Sequence, residues 1–173
     1  MILDEIQTGL GRTGRLFCHH HEEGVAPDVM TLGKALGGGV LPVSAALARR
    51  EVMDVLRPGD HGSTFGGNPL ACAVAETALD VIVDEDLPVR AREQGDRLKK
   101  IDSDRVVEVR GRGLLVGIEL DEAGGPARPV CEALMHRGIL CKETKQQVLR
   151  LAPPLTITTE EIDWLVEQLA AVL

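Results

Sequence analysis

The sequence predicts an α/β protein in which part of a large α/β domain is followed by a smaller α+β domain. Two short apolar runs, Met1–Leu3 and Val29–Leu32, each end in polar residues, as the buried strands of a parallel sheet do. Apolar residues at helical spacing predict a helix over Pro69–Val83. Farther along, strict alternation over Leu114–Leu120 indicates a strand in the second part.

The first part, residues 1–83, combines the two strands with a third strand predicted over Val43–Ala48 and a short helix over Arg49–Leu56. Pro58-Gly59 should end that helix, because proline cannot continue it. Pro69 suits the first position of the long connecting helix. That helix should bury the stripe Leu70, Val74, Ala78, Val81 and Ile82.

The second part, residues 84–173, begins with a charged helical segment over Leu87–Lys100. Gly111-Arg-Gly113 predicts a turn before the alternating strand. We expect a further helix over Val130–Arg137 and short strands over Ile139–Cys141 and Val148–Leu151. The pattern Thr158-x-x-Glu161 predicts a capping box on a last helix, whose Trp164 should lie in the core.

Composition excludes several classes of partner. The 173 residues carry a formal net charge of −8, which argues against nucleic acid or an anionic membrane as a partner. The longest weakly polar run, Gly37–Ala48, is too short for a membrane span. Four scattered cysteines without a C-x-x-C pair and an opening without a signal-peptide pattern predict a cytoplasmic protein with reduced thiols.

Glycines at 9, 11 and 14 match the G-x-G-x-x-G pattern of dinucleotide-binding loops, with Asp28 farther on. Residues 4–8 nevertheless separate the strand from Gly9, and the residues after Gly14 are too few and too polar for the expected crossover helix. We therefore interpret the loop as a bent segment without a nucleotide. The run Cys18–Glu23 should be an exposed helix or loop, since consecutive ligands point in different directions and no metal site is expected.

Asp4 and Lys34 follow the first two predicted strands, where the carboxyl ends of parallel strands share one edge. A lysine that binds an aldehyde and an acid that holds a ring nitrogen protonated are the groups that pyridoxal phosphate needs. From the residues alone, this remains one of several explanations, because a loop without chemistry fits the pattern as well.

The motifs decide between these explanations. They run, in order, Asp4-Glu-Ile-Gln-Thr-Gly-Leu-Gly-Arg-Thr-Gly14, Pro27-Asp28, Leu32-Gly-Lys-Ala-Leu-Gly-Gly-Gly39 and His61-Gly-Ser-Thr-Phe-Gly-Gly-Asn-Pro69. In order and spacing, this set resembles the class III pyridoxal-phosphate-dependent aminotransferases over essentially the full chain. The resemblance implies the C-terminal part of a fold type I transferase, with pyridoxal 5′-phosphate as cofactor.

The resemblance also implies roles for individual residues. Lys34 would carry the cofactor and move a proton during the reaction, and Asp4 would hold the pyridine nitrogen. Ile6 would pack on one face of the ring, and Gln7 would bind its phenolic oxygen. Considered singly, Gln7 is an ordinary loop residue and Ile6 an ordinary core residue.

Farther along the chain, Ser63 and Thr64 match a turn that binds the cofactor phosphate, usually in the neighbouring subunit, which implies a homodimer. Arg150 would bind the α-carboxylate of the amino acid or 2-oxo acid substrate. The run Cys141-Lys-Glu-Thr144 resembles the branch of the family that uses ornithine and 2-oxoglutarate. N-acetylornithine and 4-aminobutyrate remain open as alternative donors.

Family members are much longer than this chain, and the N-terminal part of their pattern is absent here. The missing part supplies a glycine-rich phosphate turn and an aromatic ring over the cofactor, while this chain has two phenylalanines, one tryptophan and no tyrosine. We therefore expect the chain to be inactive in isolation. A non-catalytic remnant that needs a partner chain is the second hypothesis.

Overall fold

The computed structural model describes residues 1–173, which divide into two compact units. The first unit comprises Met1–Gly11 and Arg15–Leu87, and the second comprises Arg12–Gly14 and Pro88–Leu173. The elements, in chain order, are β1 (Ile2–Asp4), β2 (Val29–Leu32), β3 (Ala45–Ala48), α1 (Arg50–Met53), α2 (Pro69–Asp84), α3 (Leu87–Leu98), β4 (Val106–Arg112), β5 (Leu115–Leu120), α4 (Arg128–His136), β6 (Lys142–Thr144), β7 (Val148–Leu151) and α5 (Thr159–Ala170). Two short 3₁₀ helices cover Cys18–His21 and Lys34–Gly37.

The first unit is built on a three-stranded sheet in the order β1-β2-β3. Strands β1 and β2 run parallel, with Asp4 opposite Thr31, so that their carboxyl ends share one edge. Strand β3 runs antiparallel to β2 and pairs Ala45 with Leu32. The predicted strand over Val29–Leu32 is confirmed, whereas the third strand is shorter than predicted.

Two helices of the first unit differ from expectation. Helix α1 is a single turn, because the chain leaves it through a turn in which the Leu56 N–H binds the Met53 carbonyl oxygen. Helix α2 has the predicted bounds to within one residue, and the Asn68 side chain caps it by accepting from the Ala71 N–H at 2.9 Å. Its predicted buried stripe is only partly correct, since Leu70 is exposed.

The second unit contains a four-stranded antiparallel sheet in the order β4-β5-β7-β6. Alternate residues of β5 are buried, as the predicted alternation requires. Helices α3, α4 and α5 complete the core of the second unit. The fully buried side chains of this core include Leu98, Leu114, Ile118, Leu120, Leu134, Leu149, Ile162 and Leu169.

Three local predictions in the second unit are wrong. Strand β4 extends through Gly111 to Arg112, so the turn covers residues 113–114 instead of the predicted 111–113. Residues 139–141 form no strand, because the Ile139 N–H binds the Leu134 carbonyl oxygen and ends α4, with Gly138 at φ +85°. Trp164 is 44% exposed, since helix α5 turns Ile162, Leu165 and Leu169 inward instead.

The predicted capping box at the start of α5 is confirmed. The Glu161 N–H donates to the Thr158 hydroxyl at 3.2 Å, and the Thr158 N–H donates to the Glu161 carboxylate at 2.8 Å. Both bonds satisfy backbone donors that an uncapped helix would leave open.

Residues 12–14 belong to the second unit although the chain around them belongs to the first. The Arg12 guanidinium donates to the carbonyl oxygens of Leu114, at 3.0 Å, and Pro153, at 2.5 Å. The Leu114 N–H returns a bond to the Arg12 carbonyl oxygen at 3.0 Å. Burial lowers the pKa of Arg12 below its ordinary value.

None of the helices combines the length and the apolar composition that crossing a membrane requires.

Candidate active site

A polar cluster forms where β1 and β2 end. Asp4 is the last residue of β1, and its Oδ1 atom accepts from the Ile6 N–H at 3.0 Å and from the Thr31 hydroxyl at 3.4 Å. The bond to Ile6 bends the chain immediately after the strand. The other carboxylate oxygen, Oδ2, has no protein partner, and the side chain is exposed. Asp4 can therefore accept a further hydrogen bond from a ligand.

Lys34 lies two residues beyond the end of β2. Its backbone is left-handed at φ +45°, and it begins the 3₁₀ helix Lys34–Gly37. The backbone of a residue other than glycine is strained in this conformation, and such strained residues are concentrated at functional sites. The Lys34 Nζ atom donates to the Gln7 Oε1 atom at 2.5 Å, so the amine is held beside the turn that follows β1.

Ile6 packs against the backbone that leads into Lys34. A Cβ atom added to Gly33 would lie 3.3 Å from Ile6 Cγ2, which is tighter than most such contacts. The glycine therefore permits the close approach of the isoleucine. The structure thus brings four of the predicted residues together: Asp4, Ile6, Gln7 and Lys34.

The remaining predicted residues belong to other elements. Ser63 and Thr64 belong to a separate turn of the first unit, in which the Ser63 hydroxyl accepts from the Gly66 N–H at 2.9 Å. No hydrogen bond joins either residue to the cluster. Ser63 lines an open cavity of about 760 Å³ beside α2. Arg150 is an exposed residue of β7 in the second unit, paired with Gly117 and Lys142 on the neighbouring strands.

The glycine loop and the histidine run take part in local packing and hydrogen bonding around Glu5. The chain after Gly14 forms only the four-residue helix Cys18–His21, which is too short for a crossover helix. No group of histidine, cysteine and acidic side chains is arranged to hold a metal ion. Gly9 is required for close packing, since a Cβ there would lie 2.8 Å from the Glu5 carbonyl oxygen.

Glu5 is a residue near the site that the sequence analysis missed. Its side chain is only 3% exposed, and its carboxylate accepts hydrogen bonds from the backbone of Cys18 and His19. The strand alternation could have indicated it, because Asp4 and Glu5 face opposite sides and a second adjacent acid must then point inward. An inward carboxylate requires donors, and the run after Phe17 supplies them.

The exposed residues of the cluster fit pyridoxal phosphate by their chemistry. A carboxylate suits a protonated ring nitrogen, an amine suits an aldehyde, and an amide suits a phenolic oxygen. The open acceptor on Asp4 and the amine of Lys34 lie at the sheet edge where α/β folds bind ligands.

Comparison with known proteins identifies the family. The family model described as aminotransferase class-III matches residues 1–173. The chain belongs to the class III aminotransferases. Ornithine aminotransferase 2 of Staphylococcus aureus (strain MRSA252) is 60% identical over 172 residues, which cover 97% of this chain and 42% of that protein.

Solved structures of two aminotransferases agree in fold with this chain. The ornithine aminotransferase of Toxoplasma gondii ME49 superposes with a TM-score of 0.92 at 48% identity, over 99% of this chain and 42% of that one. The acetylornithine aminotransferase of Elizabethkingia anophelis superposes with a TM-score of 0.90 at 48% identity, over 99% of this chain and 44% of that one. The predicted fold, part of a fold type I transferase, is confirmed.

The chain spans about 42% of the length of the curated relatives that it matches, and the matching stretch is their C-terminal part.

Proposed function

We propose that this chain contributes the lysine-bearing half of the active site of a pyridoxal-phosphate-dependent transaminase, which moves an amino group from ornithine to 2-oxoglutarate. The Lys34–Gln7 hydrogen bond at the edge that also carries Asp4 is the observation that supports it. The 60% identity to a protein named ornithine aminotransferase supports the choice of donor.

Pyridoxal phosphate, when bound, supplies an aldehyde for amines and a ring that withdraws electrons from the substrate carbon. The Lys34 amine would bind at the aldehyde and would carry a proton to and from the substrate carbon. The Asp4 carboxylate would keep a proton on the ring nitrogen, Gln7 would bind the phenolic oxygen, and Ile6 would cover one face. Each role uses an atom that the structure leaves accessible or holds beside Lys34.

Substrate and phosphate contacts complete the proposal. Arg150 would bind the α-carboxylate of the amino acid or 2-oxo acid, since its guanidinium is exposed and matches a carboxylate in two bonds. Ser63 and Thr64 would bind the cofactor phosphate of a neighbouring subunit. Residues 1–83 would then be part of the large cofactor-binding domain, and residues 84–173 would be the small domain.

A homodimer is proposed with this arrangement. The turn and helix of the first unit that follow Gly62 expose large apolar side chains, including Phe65 at 82% and Leu70 at 67%. Exposed apolar side chains of this size are typical of surfaces that a partner covers. The four free cysteines support a reducing, cytoplasmic location.

The alternative donor is N-acetylornithine, because an enzyme named for it superposes with nearly the same TM-score as one named for ornithine. The segment Cys141–Thr144, on which the sequence analysis based the ornithine branch, contains β6 of the second unit. A panel of ornithine, N-acetylornithine and 4-aminobutyrate with 2-oxoglutarate separates the donors. The highest kcat/KM with ornithine is expected, and a higher value with another donor would reassign the substrate.

The transaminase assignment itself is tested by Lys34→Ala in the complete protein that carries this chain. We expect transamination to fall by at least about 10⁴-fold, because both the covalent partner and the proton carrier are lost. Borohydride reduction of the wild type with pyridoxal phosphate, followed by peptide mapping, should place the cofactor on Lys34. Lys100→Ala, which removes an exposed lysine two residues beyond α3, is the control. Labelling of another lysine, or an active Lys34→Ala protein, would contradict the assignment.

A further inference from the structure

Glu5 is the one nearly fully buried carboxylate of the first unit, and it lies between two residues of the proposed site. Its side chain is 3% exposed, whereas the preceding Asp4 is exposed. Burying a carboxylate costs free energy unless hydrogen-bond donors surround it. The proposed chemistry uses Asp4 but gives Glu5 no part.

Donors from three residues satisfy the Glu5 carboxylate. The Cys18 N–H donates to Oε2 at 2.7 Å, and the His19 N–H donates to Oε1 at 2.9 Å. The His19 Nδ1 atom lies 2.9 Å from Oε1, and the Thr8 hydroxyl donates to Oε2 at 3.4 Å. Burial alone would raise the pKa of Glu5, but the bonds from Cys18 and His19 hold it below its ordinary value. The group is therefore a carboxylate that joins two segments of the chain.

The first of these segments is the tight turn over residues 5–9. The Gly9 N–H donates to the Glu5 carbonyl oxygen at 2.9 Å, and a Cβ on Gly9 would overlap that oxygen. Gln7 lies in the middle of this turn and accepts from Lys34. The position of the Gln7 amide therefore depends on the turn, and the turn is anchored through Glu5 to Cys18 and His19.

We propose that Glu5 is a positioning residue: its carboxylate fastens the backbone at Cys18 and His19 to the turn that follows Asp4 and carries Gln7, and so holds the Gln7 amide beside Lys34. Glu5 touches neither cofactor nor substrate in this role. The inference rests on the proposed function for its effect on catalysis. Its structural part, the fastening of the turn, is independent of that function.

The replacement Glu5→Gln tests the proposal. The Gln amide cannot accept from all the donors around this site. It replaces one of the two carboxylate oxygens of Glu5 by an NH₂ group, which would face an N–H donor. The turn should loosen and the site residues should move; displacements of about 1 Å reduce rates on the order of 100-fold. We expect pyridoxal phosphate affinity and kcat to fall by about 10- to 100-fold, with Glu5→Asp recovering part of the loss.

Thr158→Ala is the matched control for stability. It removes the capping bond of α5 in the second unit and so lowers stability, while Thr158 makes none of the hydrogen bonds to Glu5. Pyridoxal phosphate affinity and kcat should stay within twofold of the wild type. If Glu5→Gln folds and also stays within twofold, the positioning role is wrong.

Two further measurements keep the test decisive. If Glu5→Gln does not fold, His19→Ala replaces it, because that variant removes only the imidazole contact; it should lower cofactor affinity about threefold or more, and no change would overturn the proposal. Hydrogen exchange of the cofactor-free protein should be faster in Glu5→Gln at the amides of Ile6, Cys18 and His19. Unchanged exchange would refute the fastening, whereas absent cofactor binding in the wild type would refute only the proposed function.

Discussion

The two units of the chain differ in how completely they bury their apolar side chains. Of the ten largest fully buried side chains, nine lie in the second unit, and only Leu10 lies in the first. The first unit instead exposes large apolar residues along its strands, turns and long helix, among them Ile2, Val40, Val55, Phe65 and Leu70. The second unit therefore has the better-closed core.

The polar groups of the candidate site, in contrast, are concentrated in the first unit. The first unit contains the strained lysine backbone, the exposed strand-end carboxylate and the buried Glu5, whereas most ion pairs of the second unit join exposed side chains, which contribute little to stability. Most residues of the proposed site thus lie in the first unit, and most of the fully buried core lies in the second. Substitutions in one unit should change activity with little loss of stability, and substitutions in the other should do the reverse.

After Lys34→Ala, the largest effect expected from this division is that of Asp4→Asn in the first unit. The amide keeps an oxygen that can accept from the Ile6 N–H, so the fold should survive with an unchanged Tm. Transamination should fall on the order of 100- to 1,000-fold, because a neutral amide no longer stabilises positive charge on the ring. Steady-state kinetics and thermal unfolding of the complete protein measure both.

Thr31→Val is the control for Asp4→Asn, since it removes the hydroxyl that donates to Asp4 but leaves the carboxylate charge. Its rate should drop by about tenfold or less, because the hydrogen bond to the carboxylate is long, at 3.4 Å, and contributes about 1 kcal/mol. Near-normal turnover in Asp4→Asn would contradict the role of the carboxylate. An equal loss in both variants would show that orientation, and not charge, matters.

The next effect is on stability and concerns Gly95 in α3. Alanine normally stabilises a helix relative to glycine by about 1 kcal/mol. Here a Cβ would lie 2.0 Å from the Gly113 carbonyl oxygen, a backbone atom that cannot move aside easily. Gly95→Ala should therefore destabilise the protein by about 1–3 kcal/mol.

Denaturant unfolding of Gly95→Ala measures this loss, and Gly117→Ala is the matched control in the same unit. A Cβ on Gly117 would meet Val148 at 3.4 Å, an ordinary contact distance, so its unfolding free energy should change much less. If Gly95→Ala is as stable as the wild type, the backbone at Gly113 can move aside at little cost, contrary to its close packing against Gly95.

The smallest effect expected is kinetic and compares one cysteine from each unit. Burial, together with the neighbouring Cys131 thiol, raises the pKa of Cys141 to about 12, whereas Cys72 of the first unit is exposed. At pH 8, about one Cys141 in ten thousand would be a thiolate, the form that reacts. Iodoacetamide should therefore modify Cys72 well before Cys141.

Mass spectrometry of peptides after timed alkylation follows the two cysteines, and the same reaction in urea should remove the difference between them. Equal rates in the folded protein would mean that the second unit opens around Cys141 more readily than its burial implies.

The sequence predicts the parts of the fold that depend on local pattern. Strand β2, helix α2 and the capping box of α5 follow from periodicity and capping residues alone, and all three are confirmed. Leu70 and Trp164 were assigned to buried faces because helical spacing gives a stripe but not which neighbour covers it. The strand predicted over 139–141 failed because a helix end and a short strand both use a few apolar residues after glycine.

The candidate site is predictable to a similar degree. Strand ends place Asp4 and Lys34 at one edge, which the parallel pairing of β1 and β2 confirms. The donors around Glu5 are not predictable, since they depend on residues brought together by the loop over 5–19. No pattern in the sequence indicates the left-handed backbone of Lys34. Motifs indicate which residues matter, but the contacts that hold them follow only from the three-dimensional arrangement.

Because Arg12–Gly14 belongs to the second unit, cutting the chain between Leu87 and Pro88 does not separate the two units completely. A polypeptide starting at Pro88 would lack the guanidinium that binds the carbonyl oxygens of Leu114 and Pro153. It would also leave the Leu114 N–H, on a fully buried residue, without its acceptor. A separate C-terminal unit should therefore be prepared with residues 12–14 joined to it, or with a covalent cross-link that replaces the bonds of the Arg12 guanidinium to Leu114 and Pro153.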